Sequence, residues 1–255
     1  AKAKTTLGFP VVDTLKEIEA QITRLQSEFD DTFVALQQEL WREGIAMVDE
    51  AQLAPEDAEF VDDYFRRTVR PSLVPIMLGR GVEMPELVDG EGYLAIRLTS
   101  AEGKKKLALI QLPSHLPRFL TLPNDEGLKR VMFLDDVIRE ALPRIFKLFE
   151  AVHIEAFAIK ATRNAAIDMD DDLTRSVMAK MERGLKRRSS GEVVRFLYDR
   201  QMPKDMLQAL LRKLELQSEA SVIPGKRYHN RRDLMGFPDF GRSELVHPAQ
   251  KPLAH

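Results

Sequence analysis

The segment Lys226-Arg227-Tyr228-His229-Asn230-Arg231-Arg232 gathers four cations, an aromatic ring and two further polar side chains directly after Pro224-Gly225. Guanidinium and ammonium groups presented by such a loop hold phosphate oxygens, so Lys226, Arg227, Arg231 and Arg232 are candidate contacts to a polyanion. A second basic stretch runs from Leu173 to Arg200, where eight Lys or Arg stand against three acids, a local net charge of +5. Within it, Lys186-Arg187-Arg188 falls where a helix should end, and the C-terminal dipole favours cations there whether or not anything binds. The run Asp168-Met169-Asp170-Asp171-Asp172 offers the hard oxygen ligands that Mg²⁺ or Ca²⁺ prefer, but it lacks the alternating spacing and glycine of a calcium loop. Capping of a helix N-terminus is the simpler expectation for it. The five histidines, His115, His153, His229, His247 and His255, form no His-x-x-x-His or His-Glu-x-x-His pair, so no metal site is expected from them. The chain has no cysteine, which removes thiolate zinc sites, iron-sulfur clusters, disulfides and a cysteine nucleophile. A glycine-rich phosphate loop, a G-x-S-x-G elbow and protein-kinase signatures are also missing.

The elements that must position these groups follow from periodicity. From Leu15 the apolar residues recur at Ile18, Ile22, Leu25, Phe29, Phe33, Leu36 and Leu40, steps of three or four that predict one long amphipathic helix. Thr14 with Glu17 fits a capping box at its start and Gly44 a left-handed stop. A second helix is expected from Pro55, ending before Pro71, with Phe60, Tyr64 and Phe65 on its buried side. Between Asp49 and Phe65 there are seven carboxylates and no Lys or Arg, read as a solvated acidic face that would repel polyanions. Tyr93 to Thr99 and Lys106 to Leu112, around Glu102-Gly103-Lys104, predict a β-hairpin. Helical spacing returns from Leu134 to Phe149, with Pro143 threatening a kink, and Val152 to Thr162 reads as a strand. A helix from about Asp170 to Arg188, a strand Val193 to Tyr198, a helix Pro203 to Leu214 and a strand Ser221 to Ile223 complete the order. Two helices followed by strands and helices without a regular βαβ rhythm describe an α+β fold: a long amphipathic helical lead-in and a mixed α/β head.

The balance of 44% hydrophobic and 31% charged residues with a net charge of -2 is that of a globular chain rather than a disordered or strongly basic one. Its longest apolar runs, such as Leu107 to Ile110, fall far short of the roughly 20 residues that cross a bilayer, and no signal-peptide pattern opens it. An intracellular residence is expected. The start at Ala1-Lys2-Ala3-Lys4 without Met suggests a piece of something longer.

Three motifs in order carry a resemblance. Leu112-Pro113-Ser114-His115-Leu116-Pro117-Arg118-Phe119, Lys160-Ala161-Thr162-Arg163-Asn164-Ala165 leading into Asp168 to Asp172, and Pro224-Gly225-Lys226-Arg227-Tyr228-His229-Asn230 are similar to stretches of the long, phosphohistidine-using bacterial polyphosphate kinases. Leu185 to Arg188, Val194-Arg195-Phe196, Met202-Pro203 and Arg231-Arg232-Asp233-Leu234-Met235 through Phe237-Pro238 resemble the same family. The resemblance covers almost the whole chain from the long helix onward.

By that resemblance, residues 1-48 correspond to the end of an N-terminal helical domain, 49-240 to the head, or middle, domain, and 241-255 to the entry of absent phospholipase-D-like catalytic domains. It further implies a cytoplasmic, dimeric parent, with peripheral membrane association left open. That parent reversibly moves the ATP γ-phosphoryl group, with Mg²⁺, through a histidine to polyphosphate. The phosphorylated histidine of the family sits in a His-x-Lys motif, which none of the histidines here supplies, so no catalytic, ATP or metal residue transfers. The head is then structural and dimerising, inactive alone, with its basic loop as the contact to polyphosphate. The competing expectation is a non-enzymatic nucleic-acid-binding module on the two basic stretches, opposed by the net charge and the acidic second helix. A metal-dependent hydrolase built on Asp168 to Asp172 lacks a second ligand group and a base.

Overall fold

The computed structural model describes residues 11–79, 81–82, 84–123, 127–163, 193–214 and 221–247. The predicted helix over 170–188, the Asp168 to Asp172 run and the end of the tail lie outside the described residues.

Helix α1 (Val11–Arg42) is the long amphipathic lead-in. Its backbone is already helical at Val11, so Thr14 sits inside the helix and the capping box expected there does not form its start. The stop is as expected: Gly44 adopts φ +74, and its amide donates to the Trp41 carbonyl at 3.0 Å. The apolar stripe is only partly covered. Asp30 is buried and Phe33, Gln37 and Leu40 are half-buried against the head, while Leu15, Ile18 and Leu25 of the stripe stand 54, 49 and 58% exposed.

Beyond Gly44 the chain builds two sheets. Strand β1 (Ile45–Val48) pairs in parallel with β6 (Lys129–Phe133), and β5 (Phe119–Thr121) flanks β6 antiparallel. The larger, six-stranded sheet has the order β2-β4-β3-β7-β8-β9. Its strands are β2 (Ile76–Met77), β3 (Gly92–Thr99), β4 (Lys105–Gln111), β7 (His153–Arg163), β8 (Val193–Asp199) and β9 (Ser221–Gly225). The β3–β4 hairpin closes where predicted, with Gly103 at φ +75. Only β8 and β9 run parallel in this sheet; their connection carries helix α4 (Lys204–Lys213), which follows Pro203. Strands β1, β2, β5 and β6 were not expected from the sequence. With two to five residues each, they are too short for periodicity to show.

Alternation along the strands sends side chains to two cores. Leu94, Ile96 and Leu98 of β3 and Ala158 of β7 face helix α3 (Leu134–Ile145), helix α2 (Pro55–Tyr64) and the three-stranded sheet. Tyr93 and Ala95 of β3, Phe157, Ile159 and Ala161 of β7 and Phe196 of β8 face Met206 and Leu210 of α4. Each fully buried large side chain contributes about 1.5–3 kcal/mol, so both faces of the sheet are held by burial.

The second helix departs from expectation at three points. It continues beyond α2 as a π-helical turn, Phe65–Val69, and ends in a short 3-10 turn, Arg70–Ser72. Its buried face is Val61, Phe65 and Val69, at spacings of four, while Phe60 is 40% exposed and points away. The acidic stretch is not simply solvated: Asp57 is buried against Arg130 at 2.5 Å, and Asp62 meets Arg144 at 3.0 Å. In α3 the helix ends at Ile145, two residues past Pro143, and gives way to a 3-10 turn, Lys147–Phe149, instead of running on to Phe149.

Candidate functional site

The segment after β9 is fastened to the head through two buried carboxylates. Asp135 and Asp136 occupy the first turn of α3, where the helix dipole favours anions, and both are buried. Asp136 accepts from Arg139 Nη1 at 2.7 Å, from Arg227 Nη2 at 2.8 Å and from the Tyr228 hydroxyl at 2.6 Å. Arg227 also pairs with Glu50, and the Tyr228 ring stacks on Phe133 with centroids 4.0 Å apart. Arg118 bridges Asp135 and Asp233, the latter at 2.7 Å, which ties down the next turn, Arg231–Gly236. Burial pushes the Asp136 carboxyl up to about 6, against the pull of Arg139, Arg227 and the Tyr228 hydrogen bond. The same burial raises Tyr228, while for Arg227 burial works against the charge and the Asp136 and Glu50 carboxylates outweigh it, raising the guanidinium.

The other side of this segment closes a cleft of about 390 Å³ over the end of the large sheet. Register decides what it contains. Lys160 pairs with Leu197 and Thr162 with Arg195 across β7 and β8, so all four side chains project from one face of the sheet. That face carries the α3-side core further along β7; at the strand's end the core gives out and cations take its place. His229, Asn230 and Arg231 cover the cleft from the loop and Gln26 from α1.

Of the cations lining this cleft, Arg231 alone has a carboxylate within ion-pair distance among the described residues. Arg231 pairs with Asp30 at 2.5 Å and lies over the Phe29 ring at 3.9 Å. Lys160 reaches only the Asn230 side-chain oxygen, at 3.4 Å, and Arg195 makes no ion pair among the described residues. The buried Arg195 Nε has no hydrogen-bond partner there, the His229 ring has no well-formed one beyond a loose approach to the Lys226 backbone, and Gln26 Oε1 has none, though its amide can turn to present either end. Burial pulls His229 down to about 4, only partly opposed by the nearby Lys226 backbone and Asp135, so the ring is neutral at pH 7. Gly225 makes room for it: a Cβ there would lie 3.0 Å from His229 Nε2 and 3.2 Å from Leu197 Cδ1.

The four cations singled out from the sequence therefore part company. Arg227 faces inward to Asp136 and Glu50, Arg231 is held by Asp30, and Lys226 lies 4.0 Å from the same Asp30. Arg232 is exposed and makes no ion pair among the described residues. Sequence reasoning passed over Lys160 and Arg195 as site residues. Their signal was a cation in each of two otherwise apolar stretches, Phe157-Ala158-Ile159-Lys160 and Val193-Val194-Arg195-Phe196. Among the other histidines, His115 Nε2 lies 3.0 Å from Ser72 Oγ and His153 is exposed 3.8 Å from Glu155. Among the described residues no three His, Asp or Glu side chains are grouped to hold a metal ion, and no helix is long and apolar enough to cross a membrane.

Comparison with known proteins converges on one family. Residues 56–237 match the family model described as polyphosphate kinase middle domain. The polyphosphate kinase of Vibrio parahaemolyticus is 33% identical over 244 residues, 94% of this chain and 35% of that protein, and the Escherichia coli polyphosphate kinase is 32% identical over 246 residues, 94% of this chain and 36% of that protein. The crystal structure of polyphosphate kinase from Porphyromonas gingivalis matches 95% of this chain and 35% of its own with a TM-score of 0.75 at 24% identity, a likeness of fold. The chain thus spans about a third of the length of the curated relatives it matches.

Proposed function

This chain belongs to the polyphosphate kinase family through that family's middle domain, and on that premise we propose that it is the head of an enzyme moving the ATP γ-phosphoryl group through a phosphohistidine onto polyphosphate. The observation that carries the proposal is the match over residues 56–237, which falls on the two-sheet head and stops within the loop-bearing tail. In this proposal the nucleophile lies outside these 255 residues. None of His115, His153, His229 and His247 has the His-x-Lys spacing, and His153 stands 3.8 Å from the Glu155 carboxylate, beyond hydrogen-bond distance.

ATP and Mg²⁺ are substrate and cofactor of the proposed parent. The described side chains do not fit a magnesium site, because carboxylates such as Asp136, Asp135 and Asp57 are engaged by arginines. The chain's own residues hold the loop in place through Asp136 and present Lys226, Arg231 and Arg232 along the rim, where they would meet polyphosphate. We also propose that the parent is a homodimer, supported by the exposed part of the α1 apolar stripe at Leu15, Ile18 and Leu25. Sedimentation that finds the chain extended through the catalytic domains monomeric would sink that part.

The central proposal is tested by incubating the chain with Mg²⁺-ATP and measuring intact mass under alkaline conditions that preserve phosphohistidine. No added phosphate is expected, with activity in a chain extended through the catalytic domains. A stable phosphorylated species mapped to His229, the neutral buried imidazole among cations, would overturn it.

A further inference from the structure

We propose that the cleft between β7, β8 and the Gly225–Arg231 segment is a phosphate-binding subsite, in which Lys160, Arg195, Thr162, Asn230 and the neutral His229 grip the oxygens of a phosphoanhydride chain. This rests on the polyphosphate reading above and deepens it, moving the grip from the exposed loop cations to a recessed set on the sheet.

Three observations carry it. The register of β7 and β8 aims Lys160, Thr162 and Arg195 into one space, which needs no rearrangement to form. Neither Lys160 nor Arg195 has a carboxylate within ion-pair distance among the described residues, Asp233 coupling to Lys160 only from further away, whereas Arg118, Arg130, Arg139 and Arg227 are each paired. Leaving Arg195 Nε buried and unpaired, and the His229 ring with only a loose approach to the Lys226 backbone, costs stability, about 1–3 kcal/mol for a buried unsatisfied group, a cost that a ligand bearing acceptor oxygens would offset. A neutral imidazole suits this place, since it adds an N–H donor without a third charge and packs against Gly225, where a Cβ would collide. The two free charges match a chain of phosphates better than a single monoanion, and the cleft of about 390 Å³ has room for more than one phosphate.

The ligand chemistry has two sources, the polymer itself and the triphosphate of a nucleotide. Calorimetric titration of the chain with tripolyphosphate, long-chain polyphosphate and ATP, at one fixed ionic strength, separates them. The double variant Lys160→Gln/Arg195→Gln should lower tripolyphosphate affinity by about tenfold or more, as expected for loss of two charged hydrogen-bonding groups. Lys226→Gln/Arg232→Gln should change it much less. In the unmodified chain, the imidazole signals of His229 should move on adding tripolyphosphate and its titration should rise from about 4, because a bound anion favours the charged ring. That shift is independent of any variant's folding, and Lys160→Gln alone, at a half-buried position, guards the affinity result. Equal tripolyphosphate affinity in the chain and the double variant overturns the subsite, as does binding of ATP without tripolyphosphate. If the rim variant instead loses long-chain polyphosphate while the double variant keeps it, the subsite fails and the wider reading of the head stands. No binding of either phosphate polymer removes the subsite and the polymer-contact part of that reading together.

Discussion

On one side of the segment from Gly225 to Leu234, Arg227 and Tyr228 converge on Asp136 with Arg139 and Glu50 close by; on the other, Lys160 and Arg195 line a cleft with His229 and have no carboxylate within ion-pair distance among the described residues. Both sides are basic and both lie against the same loop. What separates them is the partner supplied by the rest of the fold. The first side receives the N-terminal turn of α3, so its cations are spent on structure. The second receives the ends of two strands whose register leaves cations facing one another, and a charge left open in a recess is available to a ligand.

Removing the keystone of the first side should give the largest effect. Asp136→Ala leaves Arg139 and Arg227 buried without their counter-ion and should cost about 3–5 kcal/mol in chemical denaturation. Gly225→Ala comes next. Its methyl would press on His229 and Leu197, costing about 1–3 kcal/mol and displacing the imidazole from the cleft, visible as a moved ring signal.

Titration offers a sharper division, because the two sides should respond to acid with opposite sign. His229, held near 4 against an ordinary 6.5, contributes stability that is full above about pH 6.5 and lost as pH falls toward 4. Asp136, raised from 3.8 to about 6, does the reverse: the folded state holds its proton more readily, and that contribution fades as pH rises through 4 to 6. Urea unfolding followed from pH 7 to 4.5 should therefore show a less positive slope of stability against pH in His229→Asn and a more positive one in Asp136→Asn. The same slope in all three proteins would break the comparison. Smallest of all, Arg232→Ala should leave stability within about 0.5 kcal/mol, since the side chain is exposed and unpaired among the described residues.

Legibility in the sequence followed element length and the range of the interaction. The long helix, the β3–β4 hairpin, β7, β8 and α4 all span at least seven residues, enough for a period of 3.6 or 2 to appear. The second sheet did not, because its strands have three to five residues and its parallel pair joins residue 45 to residue 129. Phe60 illustrates a finer failure. An aromatic beside Val61 attracts a burial assignment, yet the spacing of Asp57, Val61 and Phe65 already marks the face one residue away.

The sequence by itself determined the α+β class, the order of the longer elements and, through motifs spread over the chain, the family; all of these depend on local periodicity or on residue identity, which a linear string preserves. It also located the basic loop, since composition is local. Which cations in that loop are structural and which strand cations lie open was decided only by tertiary structure. A charge's role depends on what stands within a few ångströms of it, and Asp136 lies 91 residues from Arg227 while Thr162 meets Arg195 only through strand register.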